Sequence, residues 1–183
     1  MVLHQGGGQL NGELEVSVGT GANLPYLSRH VGPHGEIVTL DLSAAMMGVA
    51  RQRRIRTPVR FIRGDGCRFP FADNSFDAVF HFGGINTFGD VHKGIAEIVR
   101  VAKPGAPVLI SDEGMSLPRR STFLGRTLAK VNSLDSIRPP LRHVPWAQVE
   151  DFQIHWVWRE IFYVFRFRES HGCGAERLCG REG

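Results

Sequence analysis

The chain has 183 residues, 42% of them hydrophobic, with 22 Lys and Arg against 18 Asp and Glu, a net charge of +4 and a pI near 9.3. That length suits one domain around one core. With a mean hydropathy of -0.13 and no apolar run near the roughly 18 residues that cross a bilayer, the composition excludes a design built on membrane-spanning helices. The first 12 residues lack the basic start and apolar stretch of a secretory signal, so a cytoplasmic location is expected. Cys67, Cys173 and Cys179 are odd in number and irregular in spacing, which argues against a disulfide framework. No internal repeat is present, which sets solenoids and propellers aside.

Glu13 to Val18 alternates polar and apolar residues and runs into the turn Gly19-Thr20-Gly21, which reads as strand and tight loop. A helix is expected next, with Pro25 in its first turn and Leu24, Leu27 and Val31 at helical spacing, until Gly32, Pro33 and Gly35 end it. Ile37 to Leu42 predicts a second strand, and Ser43 is placed to cap a helix reaching Arg54. Val59 to Ile62 and Phe76 to Phe82 predict the third and fourth strands, Val91 to Val101 a helix, and Val108 to Ile110 a fifth strand. Such alternation favours a mostly parallel sheet with helices on both faces and right-handed crossovers.

Residues 114–144 break the rhythm, carrying Pro118, Pro139 and Pro140 among Arg119, Arg120, Arg126, Lys130, Arg138 and Arg142, and read as a basic insertion or lid. Phe152 to Trp158 and Ile161 to Phe167, with Arg159-Glu160 at the turn, predict a terminal antiparallel hairpin. Residues 1–169 are therefore expected to form a single domain and 170–183 a disordered tail. His171, Cys173 and Cys179 in that tail lack a repeated metal-ligand spacing, and no metal is expected.

The loop at Glu15 to Gly21 would bring backbone within contact distance of a ligand, because glycine has no Cβ to obstruct it. Short glycine turns after strands also serve packing alone. Asp41, 20 residues after Gly21 at the end of the second strand, can accept both hydroxyls of a ribose. Dinucleotide-binding folds place an acidic residue likewise, but their third glycine position holds Leu24 here, which disfavours a pyrophosphate.

With these residues in view, Leu14 to Leu24 (LEVSVGTGANL) resembles the first motif of class I S-adenosylmethionine-dependent methyltransferases. Leu40-Asp41-Leu42-Ser43 with Met46 resembles the second, and Gly64-Asp65-Gly66-Cys67, Phe69-Pro70-Phe71 and Ser75-Phe76-Asp77 resemble the third and fourth. The tract His81 to Asn86, the helix end Arg100 to Gly105 and the hairpin are similar to the ubiquinone/menaquinone-biosynthesis-like branch of that family. Ser17 departs from the pattern where the first motif more often has glycine, and only 12 residues precede Glu13 where the family usually carries a helical cover, so the domain reads as N-terminally short.

The resemblance implies an α/β fold, a Rossmann-like three-layer sandwich with a seven-stranded, mostly parallel sheet whose last strand is antiparallel. It implies S-adenosyl-L-methionine as cofactor. Glu15 would orient the methionine amino group, Gly19, Thr20 and Gly21 would present backbone, and Asp41 with Leu42 would hold the ribose. Met46 would pack on the adenine or simply on the core. Asp65 would accept from the adenine amino group beside Gly66 and Cys67, or serve only as a turn residue. His81 would face the methionine part and the acceptor, or be structural; Asp77 would support the fold.

The sulfonium supplies an activated methyl group, so alignment carries much of the rate and a general base is optional. Should one be needed, His81 and His143 are candidates by placement, with Asp112 and Glu113 behind them. The expected acceptor is a small or lipid-like molecule, with the basic insertion neutralising it, touching a membrane surface peripherally, or standing as a solvated face. No aromatic and basic alternation of an RNA-binding motif stands out, so nucleic acid is not expected. The alternatives are a catalytically silent methyltransferase-like module working through a protein partner, and a nicotinamide-dependent oxidoreductase. The oligomeric state is not set by these residues.

Overall fold

The computed structural model describes residues 10–132 and 138–170. Its strands are β1 (Leu10–Val16), β2 (Val31–Asp41), β3 (Val59–Arg63), β4 (Ala78–Phe82), β5 (Pro107–Glu113), β6 (Val149–Val157) and β7 (Phe162–Glu169). The helices are α1 (Leu24–Leu27), α2 (Ala44–Ala50), α3 (Val91–Val101), α4 (Leu117–Ser121) and α5 (Phe123–Asn132). One seven-stranded sheet has the order β3-β2-β1-β4-β5-β7-β6, in which β7 alone runs antiparallel to its neighbours. The chain winds outward from β1 in one direction and from β4 in the other, so a crevice opens where the carboxyl ends of β1 and β4 lie side by side.

The period of two along each strand divides the core between the faces. Leu14 and Val16 of β1, Val38 and Leu40 of β2, Val79 of β4 and Tyr163, Phe165 and Phe167 of β7 pack against Ile95, Ile98 and Val99 of α3. On the other face Ile37, Phe80, Leu109 and Val164 pack with Leu24 and Leu27 of α1 and Met47 and Ala50 of α2. Each fully buried side chain of this size contributes about 1.5–3 kcal/mol. Into this second face β1 also directs Glu13 and Glu15, both 0% exposed.

Local signals place the helices. Ser43 Oγ accepts from Met46 N (3.3 Å) to cap α2, and Asp90 Oδ1 accepts from Lys93 N (3.1 Å) to cap α3, whose bounds are those its periodicity predicts. Other bounds differ from expectation. The helix after the first loop is one turn, and Val31 opens β2 instead of closing that helix. Gly32, Pro33 and Gly35 propagate helix poorly, and β2 extends back through them beside β1 with an irregular register between Leu10 and Gly12. α2 stops at Ala50 rather than near Arg54. β5 runs on through the polar Ser111, Asp112 and Glu113, since β7 pairs with it as far as Glu113↔Phe162. Within 114–144 the described part holds α4, α5 and a 3-10 turn at Leu141–His143. Of the expected tail, 171–183 lies outside the described residues.

Candidate cofactor and acceptor site

The loop after β1 is built on backbone that favours glycine. Ser17, Gly19 and Gly21 have φ of 61°, 54° and 70°, so the position where a serine replaces the first motif glycine carries the strain of a left-handed L-residue. Ser17 N donates to Leu40 O (2.8 Å), which fastens the turn to β2. A side chain at Gly21 would collide with Leu24 and Ala50, so that glycine serves packing. Gly19 differs, because a Cβ there would meet only Ser17 O at 4.0 Å. Among the described residues none fills the space over Gly19.

Asp41 closes the loop from the other side. Its Oδ2 accepts from Gly19 N (2.8 Å) and its Oδ1 from Ser43 N (2.8 Å), so one carboxylate ties the turn after β1 to the start of α2. Leu42 and Met46, 68% and 47% exposed, stand beside it as uncovered apolar side chains. Thr20 is exposed and its carbonyl accepts from Arg53 Nε (2.8 Å). Gly64 N donates to Asp41 O (3.1 Å), which brings the loop after β3 to the same end of the sheet. There Asp65 Oδ1 accepts from Cys67 N (2.8 Å), Cys67 Sγ donates to Asp90 O (3.3 Å), and a side chain at Gly66 would strike the Phe88 ring.

Glu15 lies under this loop. Its Oε1 accepts from Asn23 Nδ2 (3.2 Å), while Oε2 is buried with no hydrogen-bond partner among the described residues. Burial pushes the carboxyl up to about 8, opposed by the Asn23 hydrogen bond. A buried carboxylate oxygen without a donor is costly, and a cation over the loop would satisfy it. The orphaned oxygen, the open space at Gly19 and the exposed Leu42 and Met46 together fit the amino acid, ribose and adenine parts of S-adenosylmethionine.

His81, opposite Val16 in the β1–β4 register, points to the α3 face and is 0% exposed. Its Nδ1–H donates to Val16 O (3.2 Å), Nε2 has no partner among the described residues, and the ring meets Phe88 edge-on at 5.5 Å. Burial lowers its pKa to about 4, so the imidazole is neutral at pH 7. The second histidine, His143, sits elsewhere: with Asn86, Val91, Arg138, Pro139, Pro140 and Arg142 it lines a cavity of about 570 Å³. Its Nε2 accepts from Arg142 Nε (3.0 Å), and its ring lies 6.1 Å from that of His92.

The sequence offered Asp112 as a reserve candidate base, whereas in the structure it is the group that holds this cavity in place. Asp112 Oδ1 accepts from Gly84 N (3.1 Å) and Glu113 N (2.8 Å), and its Oδ2 from Asn86 N and Nδ2 (both 3.1 Å). Asn86 Nδ2 also donates to Tyr163 OH (3.2 Å). Asp112 is thereby an anchor with its lone pairs committed rather than a free base. Its charge and burial raise the Tyr163 phenol above its ordinary range, burial being the larger effect. Asn86 could have been found from its place just past a strand end; its link to Tyr163, 77 positions away, could not.

The glycine loop, the Asp41 carboxylate closing it and the doubly wound sheet with an antiparallel β7 define the class as S-adenosylmethionine-dependent methyltransferases of Rossmann-like fold. Residues 14–110 match the methyltransferase domain family, and the chain belongs to that family. Among curated relatives it is 38% identical over 100 residues to demethylmenaquinone methyltransferase of Renibacterium salmoninarum, a match spanning 54% of this chain and 40% of that protein. It is 38% identical over 101 residues to the ubiquinone/menaquinone biosynthesis C-methyltransferase UbiE of Idiomarina loihiensis, spanning 53% and 40%. The chain thus matches less than half the length of these relatives. Of solved structures, the complex of the Haloferax volcanii Trm112 methyltransferase activator with a putative methyltransferase superposes with a TM-score of 0.74 at 18% identity, over 94% of this chain and 88% of that one, a likeness of fold. No described helix is long and apolar enough to cross a membrane.

Proposed function

We propose that the chain binds S-adenosylmethionine across the carboxyl ends of β1, β2 and β3 and transfers its methyl group to a small lipid-like acceptor of the menaquinone-precursor kind. The observation that carries this reading is the unpartnered Glu15 Oε2 under the open Gly19 turn, with the Asp41 carboxylate at its rim. The 38% identity to a demethylmenaquinone methyltransferase supports the acceptor class.

The cofactor supplies a methyl group already activated on a sulfonium. Glu15 receives the ammonium of its methionine part, Gly19, Thr20 and Gly21 present backbone, and Asp41, Leu42 and Met46 hold ribose and adenine. Asp65, with Gly66 and Cys67, faces the adenine edge. The acceptor ring occupies the cavity of Asn86, Val91, Arg142 and His143. There the Arg138 and Arg142 guanidiniums favour an acceptor oxygen that gains negative charge as it loses its proton, and His143, once Arg142 releases its Nε2, is the group placed to take that proton. His81, neutral and enclosed, holds the carboxyl ends of β1 and β4 in register through Val16 O. Alignment accounts for about 7–11 kcal/mol of barrier in well-oriented systems, against about 10²–10⁴-fold for a base.

Calorimetry tests the cofactor half, and release of demethylated cofactor with a short-chain naphthoquinol tests the acceptor half. Binding without turnover on any quinol would overturn the acceptor class. A stable hetero-complex with no cofactor affinity would favour the silent-module alternative.

A further inference from the structure

Past β5 the chain leaves the carboxyl end of the sheet into α4 and α5, whose surface is rich in both exposed apolar groups and cations. Leu117 is 75% exposed, Phe123 82% and Leu124 53%. Ser116, the N-cap of α4, is tied to the β6–β7 turn: Ser116 N donates to Glu160 O (3.1 Å), Ser116 Oγ donates to the Glu160 carboxylate, and Gly114 N donates to Ile161 O (3.1 Å). That turn presents Trp158, 61% exposed, and Arg159, and a shallow cleft lined by Pro118, Arg119, Thr122, Arg159 and Glu160 joins it to α4.

Cations dominate around these side chains. Arg119, Arg120, Arg126 and Arg159 surround them, and positions 114–132 contain no aspartate or glutamate. Glu113, at the end of β5, precedes this stretch, and the Ser116 hydroxyl engages the Glu160 carboxylate beside it. Large apolar side chains interleaved with arginines and a tryptophan match the boundary of an anionic bilayer, where apolar groups enter the acyl edge, guanidiniums meet phosphates and indole sits at headgroup depth.

We propose that α4, α5 and the β6–β7 turn form a docking surface for an anionic lipid bilayer, set at the end of the sheet where a lipid-like acceptor must enter. The proposal rests on the acceptor reading above for its purpose, but its physical basis is independent of it. In this arrangement the apolar tail of the acceptor stays in the bilayer while its ring crosses into the cavity at Asn86 and His143.

The test is co-sedimentation of the 183-residue chain with vesicles of pure phosphatidylcholine and of phosphatidylcholine with one-third phosphatidylglycerol. Binding is expected to the anionic vesicles, to weaken with salt, and to fall roughly fivefold for each of Arg126→Gln and Arg159→Gln and at least about tenfold for Phe123→Ser. Because these side chains are exposed, cofactor affinity of the variants by calorimetry should match the parent. Equal binding to both vesicles, no binding, or variants that sediment like the parent would overturn the proposal, as would a protein partner that occupies this face while vesicles do not bind. A chain that docks but shows no affinity for S-adenosylmethionine would uphold the docking surface and overturn the methyl-transfer reading; the converse result would do the opposite.

Discussion

Glu13 offers a prediction whose magnitude follows from the structure. It is 0% exposed on β1, both its carboxylate oxygens lack hydrogen-bond partners among the described residues, and burial followed by the neighbouring Glu15 charge pushes its carboxyl from 4.5 to about 8. The folded chain then holds a proton that the unfolded chain has released, so stability is full below about pH 4.5 and falls as pH rises towards 8. At ~1.4 kcal/mol per unit, about 3–4 kcal/mol is lost between pH 5 and pH 8 through this residue. Glu13→Gln keeps the shape and removes the titration. Urea unfolding at both pH values should show variant and parent nearly equal at pH 5, with the variant more stable by about 3–4 kcal/mol at pH 8, roughly 10 °C in Tm for a domain of this size. Parent stability that is flat from pH 5 to pH 8, or a variant that gains nothing at pH 8, would refute the reasoning.

Further outcomes are expected at the site. Ser17→Gly should raise stability by about 1 kcal/mol in thermal melts, since φ of 61° costs a serine what it does not cost glycine. Because Glu15 sits near 8 and must ionise to receive an ammonium, cofactor binding below that pH should release a proton and strengthen by up to about tenfold per unit. Calorimetry in buffers of different ionisation enthalpy reads this directly, and Glu15→Gln should abolish the proton release. His143→Gln should lower kcat by about 10²–10⁴ on a quinol acceptor while cofactor affinity stays unchanged; an unaltered kcat would remove His143 from the chemistry. Ile98→Ala, which opens a void in the α3 face, should cost about 2–5 kcal/mol by denaturant titration.

How much of this was legible in the sequence depends on the range over which each residue acts. Asp41 is bonded to Gly19 and to Ser43 across at most 22 positions within one strand-loop-strand unit, and their residue types pointed to this crevice. α3 was legible to the residue because capping and periodicity agree over 11 positions. The early end of α1 was harder, because Leu24, Leu27 and Val31 have helical spacing and only the pairing of Val31 with Leu10 decides for strand. The cavity at Asn86 and His143 was least legible. It depends on Asp112 and Tyr163 gripping Asn86 from two other strands, a constraint no local pattern carries. His81 shows the same limit, since its place at a strand end gives no hint that its ring turns to the α3 face beneath Phe88.

The central claim is that the crevice at Glu15, Gly19 and Asp41 holds S-adenosylmethionine. Isothermal calorimetry on the intact chain and on Asp41→Ala tests it most directly. The account predicts one saturable site in the parent and an affinity lowered about 10- to 100-fold in the variant, since the ribose hydroxyls lose a charged acceptor. No binding by the parent, or equal binding by both, would contradict it.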